Sequence, residues 1–333
     1  MKSMTYQKTL RNKNLTNYDF KHKNLYSVDF RCAILNGADF TGAYLCDVNF
    51  EGAVLSNVNF EGATLFNVNF ACIKYDLEYS TINFEKATLR GVFFNNTNLG
   101  AKSSRTNFQY AILSEIDFSG VNISRTNFSN ASLKNIYFKE SNISLTDFNK
   151  SNLSGVEFHY TKLKKVNMSG MNISNSNFYE VDFSECDITD VNLSQVQFNE
   201  TNLSKINIFE SNFEDLYFYD SNLSGTKFKR LTCRRVQFSN VNFSNAIFYN
   251  TIFDATRFFN KSNLLNTDFC NTNLMMTTFI NTINISSIIG NSETKTNNNT
   301  ILNIIRSIYK TNIETVIYIN DIVNIVTGYI INI

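Results

Sequence analysis

From Phe20 onward a large apolar residue recurs at every fifth position: Phe20, Leu25, Phe30, Leu35, Phe40, Leu45, Phe50, Leu55, Phe60, Leu65 and Phe70. Two places before these centres stand small or β-branched residues, among them Val28, Ala33, Ala38, Ala43, Val48, Ala53, Val58, Ala63 and Val68. Asn, Asp, Ser, Thr, Glu and Gly fill the positions between. An inward pair repeating every five residues matches neither the α-helical period nor the alternation of a continuous strand. The chain must turn a corner every five residues, and a short fixed period predicts a solenoid.

A longer period is laid over the short one. Phe118, Phe138, Phe158, Phe178, Phe198, Phe218, Phe238 and Phe258 stand twenty residues apart. Sorting the other centres by that interval gives three further columns. Leu113, Leu133, Leu153, Ile173 and Leu193 lead to Phe213 and Cys233; Ile123, Ile143, Leu163, Phe183, Leu203, Leu223 and Phe243 form the next. Phe108, Phe128, Phe148, Met168, Ile188, Ile208, Phe228 and Phe248 complete a square. Phenylalanine thus favours two opposite faces and aliphatics the other two, which fills a narrow core with shared volume.

Written out, as in Asn36-Gly37-Ala38-Asp39-Phe40 and Glu51-Gly52-Ala53-Val54-Leu55, the motif resembles the pentapeptide-repeat family, from about Leu15 to about Phe279. The resemblance implies an all-β solenoid, a right-handed quadrilateral parallel β-helix with four pentapeptides per square coil. At the inter-strand spacing of about 4.8 Å, roughly 13 coils would extend about 60 Å. Three roles follow, the last two from the resemblance. The leading one, from flat faces of Asn, Ser, Thr, Asp and Lys without a catalytic constellation, is a non-catalytic scaffold that binds another protein. A second, after the quinolone-resistance members, is imitation of B-form DNA to bind DNA gyrase or topoisomerase. A third is an effector delivered into a host cell, with the repeat as targeting module. The chain departs from the DNA-mimic pattern, because its formal net charge is +1.

The five-residue register slips three times. Phe70 to Phe84 is 14 residues, Leu99 to Phe108 is 9, and Phe258 to Leu264 is 6. A tightened corner or bulge would absorb each slip; the first gap equally fits two pentapeptides plus a four-residue loop, and a projecting recognition loop is the functional reading. The expected organisation is an N-terminal cap segment over 1–14, the β-helix over 15–285, a polar linker over 286–300 and an amphipathic segment over 301–333. In the last, Ile301, Ile305, Ile308, Ile313, Val316, Ile319, Val323, Val326 and Ile330 recur every three to five residues, consistent with a short α-helical C-terminal segment. It would cap the open last coil, or mediate a homodimer, or span a membrane; Glu314, Asn320, Asp321 and Asn324 make the last option costly.

Composition narrows the chemistry. The 333 residues contain no Pro or Trp and are rich in Asn, Ile, Phe, Tyr and Lys, the coding bias of an AT-rich genome. Six cysteines lack CxxC or zinc-finger spacing, which points to a reducing compartment and a cytoplasmic location, or the host cytoplasm for an effector. Cys32 and Cys72 share a column two coils apart, beyond disulfide reach, while Cys186 and Cys233 face inward. Met1–Gln7 lack the apolar run of a signal peptide. Residues 1–31 hold seven cations against two carboxylates, which reads as a solvated end. His22 and His159 face outward without a spacing partner, so no catalytic residue, cofactor or metal site is assigned.

The outward columns supply the candidate interaction surface. Glu180, Glu200 and Asp220 stack three carboxylates in one column, an arrangement that repels without a partner. Lys165, Glu185 and Lys205 alternate in sign, and Asp215 lies one coil below Arg235. Lys227, Lys229, Arg230, Arg234 and Arg235 place five cations in one coil. No aromatic interleaving supports nucleic-acid binding there, so the expected partner is another protein.

Overall fold

The computed structural model describes residues 9–75, 80–100, 105–290, 294 and 296. The chain divides into two compact units, Met1–Met171 and Asn172–Ile333. Each unit is a four-sided parallel β-solenoid.

In the first unit, three-residue strands stack in register. Asn24–Tyr26, Tyr44–Cys46, Thr64–Phe66 and Thr88–Arg90 pair in succession, followed by Ile112–Asp117 and Ser132–Tyr137. Their centres Leu25, Leu45, Leu65, Leu89, Leu113 and Leu133 all point inward and are buried. Each pentapeptide places its centre and the residue two before it inside, leaves the flanking residues outside, and turns at the second residue after the centre. That corner residue is left-handed: Gly37 has φ +68° and Gly42 +61°, and Asn57, Asn67, Lys86 and Arg125 adopt the same region. Where corners stack closely, glycine leaves room for the side chain of the coil below. A Cβ on Gly37 would stand 2.2 Å from Asn17 Oδ1, and one on Gly42 would meet the His22 ring at 2.6 Å.

The core is a pair of ring columns. Phe30, Phe50 and Phe70 stack face to face at 4.9 and 5.0 Å, and Phe40 and Phe60 stack opposite at 4.8 Å. Across the core the columns meet edge to face, Phe40 to Phe50 at 5.7 Å and 87°. Both geometries are favourable for aromatic pairs. At several inward Ser and Thr positions the buried hydroxyl donates to a carbonyl of the preceding coil, as Thr146 does to Ile123 O (3.1 Å) and Thr161 to Phe138 O (2.6 Å). Those polar groups are thereby satisfied inside the apolar core, whereas the Thr126 and Thr282 hydroxyls are buried without a partner among the described residues.

Two coils of this unit carry 24 residues. Val58 pairs with Ile82, and Thr88 pairs with both Leu65's neighbour Thr64 and with Ile112. Below and above, the interval is 20. The surplus enters between Tyr75 and Thr81 and again between Gly100 and Arg105, at the same corner. The first gap therefore corresponds to two pentapeptides plus four residues, and the second also takes four extra residues in place of a tightened corner. Residues 76–79 and 101–104 lie outside the described residues. Tyr75 replaces a leucine in the core column above Leu55, and burial pushes its phenol up to about 12, so it stays neutral.

The second unit keeps a strict interval of 20 over Asn177–Tyr179, Gln197–Asn199, Tyr217–Tyr219, Gln237–Ser239 and Thr256–Phe259. Phe198 stacks between Phe178 (5.2 Å) and Phe218 (4.6 Å). The third slip is a single residue: Phe258 pairs with Phe279, and Asn260 and Lys261 are consecutive left-handed residues, a corner widened by one.

On the outside, side-chain amides form a ladder up one face. Asn202 donates to Asp182 (2.9 Å), Asn222 to Asn202 (3.4 Å), Asn242 to Asn222 (3.3 Å), Asn263 to Asn242 (3.3 Å) and Asn284 to Asn263 (2.7 Å). Every amide in this run aims its NH2 toward the chain's N-terminal side. The first acceptor is a carboxylate, which is favourable where aligned amide dipoles present their positive ends.

The described ends depart from the expected boundaries. Thr9 already bridges Asp29 and Asn14 bridges Ile34, so coil pairing begins inside the segment expected to be a cap. At the other end Ile289 bridges Asp268, and Thr294 Oγ1 donates to Phe269 O, so residues of the expected linker pack on the coil. The expected amphipathic segment 301–333 lies outside the described residues. Among the described residues the one helical element is a 3-10 turn at Ile285–Ser287, and no helix is long and apolar enough to cross a membrane.

Candidate interaction surface

The predicted acidic column is present in the second unit. Glu180, Glu200 and Asp220 are left-handed corner residues with φ between 50 and 54°, bonded in sequence through the Glu180 N–H to Asn199 O, the Glu200 N–H to Tyr219 O and the Asp220 N–H to Ser239 O. Tyr179 donates its phenol to Glu200 (3.1 Å) and Asn240 its amide to Asp220 (2.7 Å). These neutral donors ease the stacked charges without cancelling them. No cation pairs with any of the three among the described residues. Tyr179, Tyr217 and Tyr219 stand on the adjoining face, the last two with rings 6.4 Å apart.

The predicted basic group is arranged differently. Arg230 meets Glu210 (3.2 Å), and its guanidinium lies 5.5 Å over the Phe209 ring. Arg234 lies between Glu214 (3.8 Å) and Asp254 (3.5 Å). Arg235 reaches Glu214 (2.8 Å) and grips Asp215 through Nε and Nη2. The Arg235 hydrogen bond holds the Asp215 carboxyl below its usual range, and those to Asp215 and Glu214 raise Arg235 further. Three of the five cations are thus occupied by carboxylates one coil away, leaving Lys227 and Lys229 without an ion pair among the described residues. The coil is a charge-paired wall rather than a basic patch.

The cysteines are all free thiols; Cys32 and Cys72 are exposed, Cys186 and Cys233 buried. Burial pushes the Cys233 thiol far up, and burial first, then Asp268, pushes Cys270 to about 11. Among the described residues no group of His, Cys, Asp or Glu could hold a metal ion. Sequence reasoning did not find one feature: a shallow groove of about 790 Å³ in the first unit, lined by Thr81, Asn83, Arg105, Asn107, Arg125 and Asp147 among others. Thr81 and Asn83 meet Arg105 and Asn107 through a 24-residue coil, an interval the five-residue pattern does not display, while Arg125 and Asp147 follow at the ordinary twenty.

Two family models agree with this repeat pattern. A family model described as a pentapeptide repeat region matches residues 100–168, and one described as pentapeptide repeats (8 copies) matches 10–45, 33–71, 172–215 and 217–255. No curated protein matches the chain. Among solved structures, a trypsin-treated form of the plasmid-mediated fluoroquinolone resistance protein QnrB1 is 12% identical, covering 71% of this chain and 98% of its own, with a TM-score of 0.31. HetL, a pentapeptide repeat protein involved in heterocyst differentiation regulation in the cyanobacterium Nostoc, is 16% identical over 84% of this chain and 87% of its own, with a TM-score of 0.22. Rfr23 from the cyanobacterium Cyanothece is 14% identical over 35% and 63%, with a TM-score of 0.23. With its five-residue core, left-handed corners and matching repeat models, this chain belongs to the pentapeptide-repeat family.

Proposed function

We propose that the protein is a non-catalytic interaction scaffold, and that its second unit presents the Glu180, Glu200 and Asp220 column to a basic surface of another protein. The observation that carries this reading is a contrast within one unit. Arg230, Arg234 and Arg235 of the neighbouring coils are paired internally, whereas among the described residues the three stacked carboxylates have no cation. Like charges held at the strand spacing repel, and a partner's Lys or Arg would relieve that repulsion. The adjoining tyrosines offer amphipathic contact area of the kind enriched at interfaces. Six free thiols support action in a reducing compartment, the cytoplasm of the source or host cell.

Imitation of DNA toward gyrase is the less supported alternative. The carboxylate column spans three coils and continues as Asn240 and Asn260, so it lacks the extended negative field that would stand in for a phosphate backbone.

Fluorescence anisotropy with labelled Lys/Arg-rich peptides tests the proposal. Wild-type protein is expected to bind them with affinity that falls as salt rises, and the combined variant Glu180→Gln, Glu200→Gln, Asp220→Asn to bind at least tenfold more weakly with an unchanged circular dichroism spectrum. Equal binding by the variant would refute the assignment. Inhibition of gyrase supercoiling at micromolar protein would instead promote the alternative.

A further inference from the structure

The groove of the first unit runs along the corner that receives both four-residue insertions. Thr81 pairs with Arg105, and Asn107 pairs with Asn127, which places Arg125 one coil beyond Arg105 on the same line. Neither arginine makes an ion pair or a side-chain hydrogen bond among the described residues, in contrast to Arg230, Arg234 and Arg235 of the second unit. The backbones of the two arginines are therefore about one strand spacing (~4.8 Å) apart, and among the described residues no side chain occupies their donors.

The floor adds to this. Asn83 donates to Asn59 (3.0 Å) and Asn107 to Asn83 (3.1 Å), but the ladder stops there. Asn127 accepts from the Ser129 N–H (2.9 Å) and hydroxyl (2.7 Å) through Oδ1, and among the described residues its Nδ2 donates to no side chain. A third donor thus stands two residues along from Arg125, in the coil beyond Asn107. The one carboxylate in the lining, Asp147, is engaged by the Asn167 amide and the Asn149 N–H, both at 3.0 Å. The groove carries two cations against one committed anion.

We infer that this groove is an anion-binding site that takes side-chain carboxylates from an acidic, extended peptide segment of a partner protein. Arginine forks match carboxylates in bidentate geometry, and in an extended peptide alternate side chains fall on one side at about 6.8 Å, within reach of two flexible arginines one coil apart. Nucleic acid fits less well, because no aromatic side chain lines the groove to stack a base. The site lies wholly in the first unit and does not depend on the acidic column of the second.

The test uses the full-length protein and a labelled peptide alternating glutamate with serine, with inorganic phosphate and oligo-dT as competing probes. The peptide is expected to bind in low salt, and the double variant Arg105→Gln, Arg125→Gln to weaken it at least tenfold. Arg105→Lys, Arg125→Lys should restore only part of the affinity, since lysine keeps the charge but loses the fork. Replacing Glu180, Glu200 and Asp220 should leave acidic-peptide binding in place, which separates failure here from failure of the scaffold assignment. Undiminished binding by the double glutamine variant, no peptide binding at all, or stronger binding of oligo-dT or phosphate than of the peptide would each overturn the inference.

Discussion

The coils from Phe30 to Phe70 and those from Phe178 to Phe253 solve one packing problem in two ways. From Phe30 to Phe70 phenylalanine occupies two opposite columns without interruption, and leucine the other two. In the second unit one of those columns shrinks to Ile188 and Ile208, and rings appear instead in formerly aliphatic columns, Phe183 in one coil and Phe213 in the next. Each of these coils still holds two phenylalanines. Where Phe213 and Phe253 occupy one column, the residue registered between them is Cys233, the smallest centre in the chain. From Phe178 to Cys233 each coil keeps two rings while the identity of a column is a looser preference, as expected for cores that tolerate redistribution; beyond it Phe238, Phe243, Phe248 and Phe253 put four rings in one coil.

The severest break of that arrangement is removal of a ring from the uninterrupted column. Phe198→Ala deletes a buried ring stacked on both sides and is expected to cost about 3–5 kcal/mol in denaturant unfolding. The exposed-side change Asn199→Ala should cost under about 1 kcal/mol. Similar losses for the two would show the inward assignment to be mistaken.

Volume sharing gives a sharper test. Ile208→Phe alone adds a third ring to its coil and should cost about 1–3 kcal/mol through overpacking. Adding Phe213→Leu in the same coil restores two rings, and the double variant is expected to recover at least half of the loss. Strict additivity in the double-mutant cycle would count against volume as the shared quantity.

The amide ladder comes next. Asn222→Ala removes the donor to Asn202 and the acceptor used by both Asn242 and the Ser224 N–H. On a half-exposed face water replaces part of this, so the expected cost is about 0.5–1.5 kcal/mol. Hydrogen exchange should report faster opening at Ser224 than at the core amides.

The same contrast between core and surface governs what was legible in the sequence. Every inward centre from Phe20 to Phe70 could be named from the five-residue pattern, because burial there depends only on local alternation and a corner. The four columns followed from twenty-residue sorting for the same reason. The two 24-residue coils were not decidable, since a gap of 14 between Phe70 and Phe84 fits a tightened corner as well as an insertion until strand pairing is seen. The surface was read less completely. Arg230 and Arg234 stand out in the sequence as members of a five-cation coil, although their carboxylates Glu210, Glu214 and Asp254 lie at the same twenty-residue interval that shows Asp215 below Arg235. Arg105 and Arg125 stand at the ordinary interval of twenty, but the side of the groove formed by Thr81 and Asn83 meets them only through a 24-residue coil and gave no signal.

The smallest expected effect concerns the pair that was legible, Asp215 and Arg235. Both side chains are substantially exposed, so water and salt screen their attraction, and a surface pair of this kind contributes little. Its signature lies in pH dependence. The Asp215 carboxyl is lowered in the folded protein, chiefly by its hydrogen bond from Arg235. A carboxylate lowered on folding contributes stability above its unfolded pKa and loses it as pH falls through the folded value. Wild type and Asp215→Asn should therefore differ most at neutral pH in low salt, and converge on acidification or in molar salt. A difference that persisted at acidic pH would mean that Asp215 acts through packing rather than charge, and the charge-paired wall would then need another account.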